Sequence, residues 1–520
     1  NNFIKNREND MTITQYQNPI LRGMYPDPSI VRVGDTYYMV NSTFEYYPGI
    51  ALSRSLDLLN WEKFPGIAQT IEQADLRSAK SNEGIFAVCI RYNQGFFYVI
   101  TTNFAEFKNF IIRGYLNEDQ TAIIWENNRV EVDIFGIDPD LYFEDNRTYV
   151  QFTGYVEGGK KAIQQVEIEL ETGNILRGPE VLSFGTGGRD VEGPHILKEK
   201  GAYYLLAAEG GTGQGHMITM FKGETLWGPF QPAPTNPLFT NRDRAEEPLQ
   251  NIGHADLFQD TLGNWWLTCL GTRPATIDHI QITNLGRETL LYPVEWTEEW
   301  PVINKGIPSL EVDLTDFPNH SQALSNPQNL SNFTDYFISE RLNPEWITLR
   351  HHLDSRLLIE NQQLILKGSN LTLKDLSNPS FLAVRQTEHE QTFVVTLDPE
   401  TSQLHQGSLG IAVIINSDHY AALLLSKEEN RIVVRKHIQI LDLGWDEIIG
   451  ELSTLPETLT LYHTTNEKVF TAQTQTETIQ YSISAQHFSN EAIAALNTGD
   501  MQGLYVLGDA KLVVKSVERK

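Results

Sequence analysis

One pattern recurs five times in the first three hundred residues, and it limits the fold more than any other feature of the chain. A polar residue, often followed by proline, leads an apolar strand, a turn, and then an aromatic-rich strand. The copies are Asp27-Pro-Ser-Ile with Tyr37-Tyr-Met-Val, Ala87-Val-Cys-Ile with Phe97-Tyr-Val-Ile, and Asp138-Pro-Asp-Leu with Thr148-Tyr-Val-Gln. Gly193-Pro-His-Ile with Tyr203-Tyr-Leu-Leu and His254-Ala-Asp-Leu with Trp265-Trp-Leu-Thr complete the set. Turn signals such as Val33-Gly-Asp, Glu144-Asp-Asn and Leu262-Gly-Asn separate the paired strands. Successive copies begin 51 to 61 residues apart. That length holds a four-stranded antiparallel sheet, so five copies predict a five-bladed β-propeller over residues 18–303.

The innermost strand of a propeller blade lines the central channel, so the leading residues of the copies converge on one axis. Asp27, Asp138, Glu192 and His254 are thereby expected around one cavity. Asp-Pro also opens ordinary turns, but clustered carboxylates in a cleft are electrostatically costly and therefore informative. Asp140 follows Asp138 by two residues. Strand alternation keeps it near the same face and makes it the alternative to Asp138.

After Trp300-Pro-Val-Ile-Asn the composition changes. Residues 304–329 are rich in Pro, Asn, Ser and Leu and read as a linker; residues 1–17 read as an N-terminal extension. From 330 to 520 strands follow one another without the repeat, as in Arg431-Ile-Val-Val-Arg, which predicts an antiparallel β-sandwich. One short helix is expected within 490–496. The chain is thus expected to be all-β, a five-bladed propeller followed by a sandwich.

A net charge of −27 argues against nucleic acid or an anionic membrane as partner and suits a neutral substrate. The two cysteines, Cys89 and Cys269, lie in apolar strand-like runs and read as buried free thiols. No apolar run is long enough to span a bilayer, and the polar start lacks the apolar centre of a signal peptide. A cytoplasmic location is expected, and a homo-oligomer is left open. The chain has no His-Glu-x-x-His pair, no phosphate-binding loop and no Gly-x-Ser-x-Gly elbow. The Gly210-Gly-Thr-Gly-Gln-Gly run follows a strand and opens no helix. His351 and His352 are expected on a strand with side chains on opposite faces, so they do not read as a chelating pair.

Glycosidic bonds are cleaved by two carboxyl groups flanking the bond; a third acid can keep the proton donor's pKa high. Three acids on one axis fit that scheme, although the repeat alone does not assign their roles. The segments Asn18-Pro-Ile-Leu-Arg-Gly-Met-Tyr-Pro-Asp27-Pro-Ser, Gly136-Ile-Asp138-Pro-Asp-Leu, Val191-Glu192-Gly-Pro-His and Ala208-Glu-Gly-Gly-Thr212 resemble glycoside hydrolase family 43. So do Gly253-His254-Ala-Asp, Thr272-Arg273-Pro and Leu285-Gly-Arg-Glu-Thr. The second half resembles the concanavalin-like domain of that family's β-xylosidase and α-L-arabinofuranosidase members.

The resemblance implies an inverting, exo-acting hydrolase of arabinose- or xylose-containing oligosaccharides. Asp27 would be the general base, Glu192 the general acid and Asp138 the group that tunes its pKa. It further implies Arg273, Phe44, Phe86, Thr212 and His254 as substrate contacts. No cofactor is required, although calcium at the propeller centre, with His254 near it, is compatible with the family. Many relatives carry Trp-Ala-Pro or Tyr-Ala-Pro where this chain has Phe86-Ala-Val-Cys89. A polar group near the sugar is therefore missing. Ile85-Phe86-Ala with Ile100-Thr-Thr-Asn103 leans toward the arabinofuranosidase-like branch. β-Xylosidase activity, dual activity and a non-catalytic sugar-binding propeller are the alternatives.

Overall fold

The computed structural model describes residues 12–328 and 331–520. The first eleven residues of the expected extension and the expected junction at 329–330 lie outside them. Five four-stranded antiparallel sheets form the first half. Their innermost strands are Ser29–Val33, Ile85–Asn93, Ile137–Glu144, Glu192–Glu199 and Gln250–Gln259, and each touches the next around a closed ring. This is the five-bladed propeller. No helix among the described residues is long and apolar enough to cross a membrane.

A bulge sits at the start of the innermost strand in blades two to five. In blade three Ile137 pairs with Thr153 and Asp140 with Gln151, so Asp138-Pro139 is the inserted step. Phe86-Ala87, Gly193-Pro194 and His254-Ala255 occupy the same step in their blades, and Asp27-Pro28 matches it ahead of Ser29. Asp27, Asp138, Gly193 and His254 all have left-handed backbones, with φ of 51°, 55°, 60° and 49°. Such a bulge re-aims a side chain at the end of a strand. Here it turns the leading residue toward the mouth of the channel. Glu192 stands one residue before the equivalent position, which Gly193 holds, so it is not the strict counterpart of Asp27 and Asp138.

Residues 18–25 run along blade five: the Ile20 N–H donates to the Thr289 carbonyl (2.9 Å) and the Tyr25 N–H to that of Arg287 (3.0 Å). Gln15–Gln17 pairs with Glu311–Asp313, and Leu314, Phe317 and Leu324 are buried in the propeller core. The stretch after Ile303 therefore packs on the propeller instead of spanning free space. It also contains a short helix, Pro318–Ser321, that the composition did not announce.

The second half is a sandwich of an eight-stranded and a six-stranded antiparallel sheet around one large apolar core. The six-stranded sheet is covered on both faces. Ile411 and Val413 point into the sandwich core, whereas Ala412 and Ile414 pack with Met24, Phe44 and Tyr46 of the propeller. Burial on both sides explains why Leu409–Ile415 reads as an unbroken apolar run instead of alternating. Each fully buried large apolar side chain stabilises by about 1.5–3 kcal/mol, so the seam is no loose tether. Arg385 reinforces it, donating to the Met24 carbonyl (2.6 Å) with its guanidinium 4.0 Å over the Tyr25 ring.

The expected short helix is Asn490–Ile493, capped by the Ser489 hydroxyl. The expectation for His351 and His352 is corrected. Their strand ends at Leu349, and Arg350 is left-handed (φ 66°). The two rings therefore lie side by side, centroids 3.8 Å apart. Asp354 is 2.7 Å from His352 Nδ1. Both cysteines are free and buried.

Candidate active site

The channel mouth opens into a pocket of about 500 Å3. Asp27, Asp138 and Glu192 line it, as do Phe44, Phe86, Thr212 and His254. Phe44 sits on the turn between the second and third strands of blade one, bonded both ways to Ile85 (2.9 and 3.1 Å). Its ring is 5.5 Å from that of Phe86. The glycine run 210–215 is the corresponding turn of blade four and lines the pocket. Gly210 (φ 92°) cannot carry a Cβ, which would lie 1.9 Å from the Gly215 carbonyl oxygen.

The three carboxyls have different surroundings. Burial alone would raise Asp27, but Arg287 (3.6 Å), His254 (3.3 Å) and the Ser42 hydroxyl (2.7 Å) hold it below its ordinary value. Burial and the Asp27 charge push Asp138 up to about 6, against Lys161 and the Gly193 N–H, which donates to Asp138 Oδ2 at 3.0 Å. Burial and Asp138 push Glu192 up to about 7, while Lys161, 3.2 Å away, pulls the other way. One pocket thus holds a carboxylate ionised at neutral pH and a carboxyl that still holds its proton in a large fraction of molecules there.

Asp140 lies one layer deeper. It accepts from His195 Nδ1 (2.8 Å), the Ile196 N–H (2.9 Å) and Arg91 (3.3 Å), and is fully buried. The bulge at Asp138-Pro139 separates the two acids, so Asp138 faces the pocket and Asp140 does not. Arg273 is also corrected. It grips Glu288 through two bonds of 2.7 Å and Glu388 through one of 2.8 Å, and it is not part of the pocket lining. Arg287 lines the pocket instead, as does Arg189, and it donates to Thr212 Oγ1 (3.2 Å) and, at 3.4 Å, to the Asn497 carbonyl.

Lys161, His216, Leu496 and Asn497 also line the pocket without having been anticipated. Burial pushes His216 down to about 4. Its ring lies over Gly253, where a Cβ would meet it at 2.2 Å, which accounts for the glycine before His254. Leu496 and Asn497 come from the sandwich, so the second domain supplies one wall.

The residues at the channel centre do not fit calcium, which takes six to eight oxygen ligands. The Arg91 guanidinium sits there, bonded to Asp256 at 2.9 and 3.1 Å, and Asp256 also accepts from the Ser29 hydroxyl (2.9 Å). The nearest cluster of metal-ligating groups, Cys89, Asp140 and His195, offers a thiol, an imidazole and a carboxylate that Arg91 already engages. His254 turns its Nδ1 to Asp27 and belongs to the pocket layer.

Comparison with known proteins agrees with this geometry. Residues 16–301 match the model for glycosyl hydrolases family 43, and residues 334–512 match the beta xylosidase C-terminal concanavalin A-like domain. The chain is 32% identical to the non-reducing end alpha-L-arabinofuranosidase BoGH43B of Bacteroides ovatus, over 95% of this chain and 92% of that protein. It is 33% identical to a xylosidase/arabinosidase of Butyrivibrio fibrisolvens, over 80% of each. A solved structure described as Bacteroides ovatus Xyloglucan PUL GH43B superposes with a TM-score of 0.86 at 28% identity, over 97% of this chain and 99% of the other. With a five-bladed propeller, three carboxyls at its mouth and a sandwich closing one side, the chain belongs to glycosyl hydrolase family 43.

Proposed function

We propose that the chain is an exo-acting, inverting α-L-arabinofuranosidase that removes terminal arabinofuranose from arabinoxylan-type oligosaccharides. The observation that carries the reading is the split between Asp27, held ionised, and Glu192, pushed up to about 7, in one pocket. Asp27 takes a proton from water as that water attacks the anomeric carbon. The glycosidic C–O bond breaks, and Glu192 protonates the leaving oxygen. Asp138 keeps Glu192 protonated through its negative charge. Arg287 and His254 keep Asp27 ionised and stand close enough to orient sugar hydroxyls. The wall supplied by Leu496 and Asn497 blocks one side, which favours a chain end over an internal linkage.

Similarity to the Bacteroides ovatus arabinofuranosidase along nearly the whole chain supports arabinofuranoside over xyloside. β-Xylosidase activity is the second reading, favoured by the Butyrivibrio relative and the second-domain match. Hydrolysis of 4-nitrophenyl α-L-arabinofuranoside and β-D-xyloside decides between them. Arabinofuranoside turnover is expected to dominate and to fall about 10²–10⁴-fold in Asp27→Asn. Xyloside preference would favour the second reading, and no turnover of either would favour a non-catalytic propeller.

A further inference from the structure

The sandwich walls only part of the pocket rim. Asn497 bonds to the Asn82 carbonyl (3.2 Å) ahead of blade two and accepts from Arg287 of blade five. Leu496 lies against Gly213 of blade four. The sector formed by the rims of blades two and three carries instead a group of exposed aromatic rings. Phe135 and Phe107 are the two most exposed aromatic side chains among the described residues, at 86% and 75%; Tyr155, at 61%, and Phe184, at 51%, are also exposed. Phe107 is in the turn of blade two that corresponds to the Phe44 turn of blade one. Phe135 and Phe184 are on the connections into blades three and four, and Tyr155 ends the second strand of blade three. All four positions belong to the pocket end of the propeller.

Phe107, Phe135 and Tyr155 connect to the pocket. From Phe44 the rings step outward through Phe86 (5.5 Å), Phe104 (4.8 Å) and Phe107 (4.9 Å). Asn109 holds the Phe135 segment by bonding the Gly136 carbonyl (3.0 Å), one residue before the pocket-lining Ile137. The pocket residue Lys161 lies 5.9 Å from the Tyr155 ring. Exposed apolar patches of this kind mark binding surfaces, and an aromatic ring offers a flat, rigid face to the C–H face of a pyranose. A strongly acidic chain disfavours a polyanion there and suits a neutral glycan.

We propose that Phe107, Phe135, Tyr155 and Phe184 form a platform for the neutral pyranoside main chain that carries the sugar cleaved in the pocket. This rests on the glycosidase reading above: the pocket holds the sugar released, and the rim holds the remainder of the substrate. The platform lowers KM for longer oligosaccharides and leaves small aryl glycosides unaffected.

The test is kinetic and, separately, a binding measurement. Wild type, Phe107→Ala, Phe135→Ala and the double variant are compared on 4-nitrophenyl arabinofuranoside and on arabinosylated xylo-oligosaccharides of increasing length. In wild type KM falls with length. The double variant loses that fall, about ten-fold at the longest substrate, with aryl-glycoside kinetics and Tm unchanged. Equal length dependence in wild type and double variant, or an equal loss on the aryl glycoside, overturns the proposal. Calorimetric titration of unsubstituted xylotetraose into Glu192→Gln, with and without the two alanines, needs no turnover. A Kd about ten-fold weaker with the alanines is expected; an unchanged Kd overturns the platform even if the aryl glycosides show the glycosidase reading itself to be wrong.

Discussion

Replacing Lys161 by methionine removes the cation nearest the proton donor, and its effect can be worked from the geometry. Lys161 Nζ lies 3.2 Å from Glu192 Oε2, and both side chains are largely buried. Across that distance an opposite unit charge is worth about 1.3 kcal/mol at the dielectric of water and about 5 kcal/mol at an effective value near 20. Lys161 also faces Asp190 at 3.4 Å, and the pocket opens to solvent, so the lower figure applies. At about 1.4 kcal/mol per pKa unit, Glu192 should rise by about one unit. The sign follows directly. A lysine favours the carboxylate, so its loss keeps Glu192 protonated to higher pH. The alkaline limb of kcat/KM, which reports the acid of the free enzyme and is expected near pH 7 in wild type, should move up. The assay is kcat/KM against pH on an unactivated oligosaccharide, because a nitrophenolate leaves without needing the acid. Asp138→Asn removes a like charge and should move the same limb down. A limb that stays in place in both variants, or moves the opposite way, would refute this electrostatic account.

The two arginines should separate cleanly. Arg287→Ala lowers kcat/KM and moves the acid limb up as Asp27 loses its cation, whereas Arg273→Ala leaves buried Glu288 without its main partner and lowers unfolding stability by about 3–5 kcal/mol in denaturant titration. Early proton NMR of released arabinose, before mutarotation, should show the β-anomer first; initial α-anomer would mean retention. Dialysis against a chelator should leave kcat unchanged, because Arg91, paired with both Asp256 and Asp140, already occupies a cation's place at the channel centre; loss of activity restored by calcium would contradict this. A chain ending at residue 328 should be insoluble or nearly inactive, since it lacks Leu496 and Asn497 and bares Met24, Phe44 and Tyr46; full soluble activity would show the seam to be dispensable.

The propeller was legible because each blade announces itself locally, by the polar step, the apolar strand and the aromatic strand. Asp27, Asp138, Glu192 and His254 could be found because they occupy or adjoin that step. The residues missed are those whose place depends on another part of the chain. Lys161 starts the third strand of blade three and carries no signal that it leans on Glu192. Leu496 and Asn497 enter the pocket from a domain whose own pattern speaks only of a sandwich. Arg273 and Arg287 both sat in recognisable segments, but the sequence holds nothing to say that Glu288 and Glu388 claim the first and leave the second to the pocket. Asp140 was judged by strand alternation, which the bulge before it interrupts.

The step at the head of each blade is a recurring socket that holds in turn Asp27, Phe86, Asp138, Gly193 and His254. Four of the five positions share a left-handed backbone, so chemistry changes there without the scaffold being redrawn. The socket in blade four is empty, and that vacancy matters. With the His254 ring only 3.1 Å from where a Cβ on Gly193 would stand, any side chain would crowd its neighbour, and the acid is delivered from the residue just before. Blade two holds the one apolar socket, Phe86. That position is therefore the one through which a polar side chain would enter the pocket while every strand stays in register.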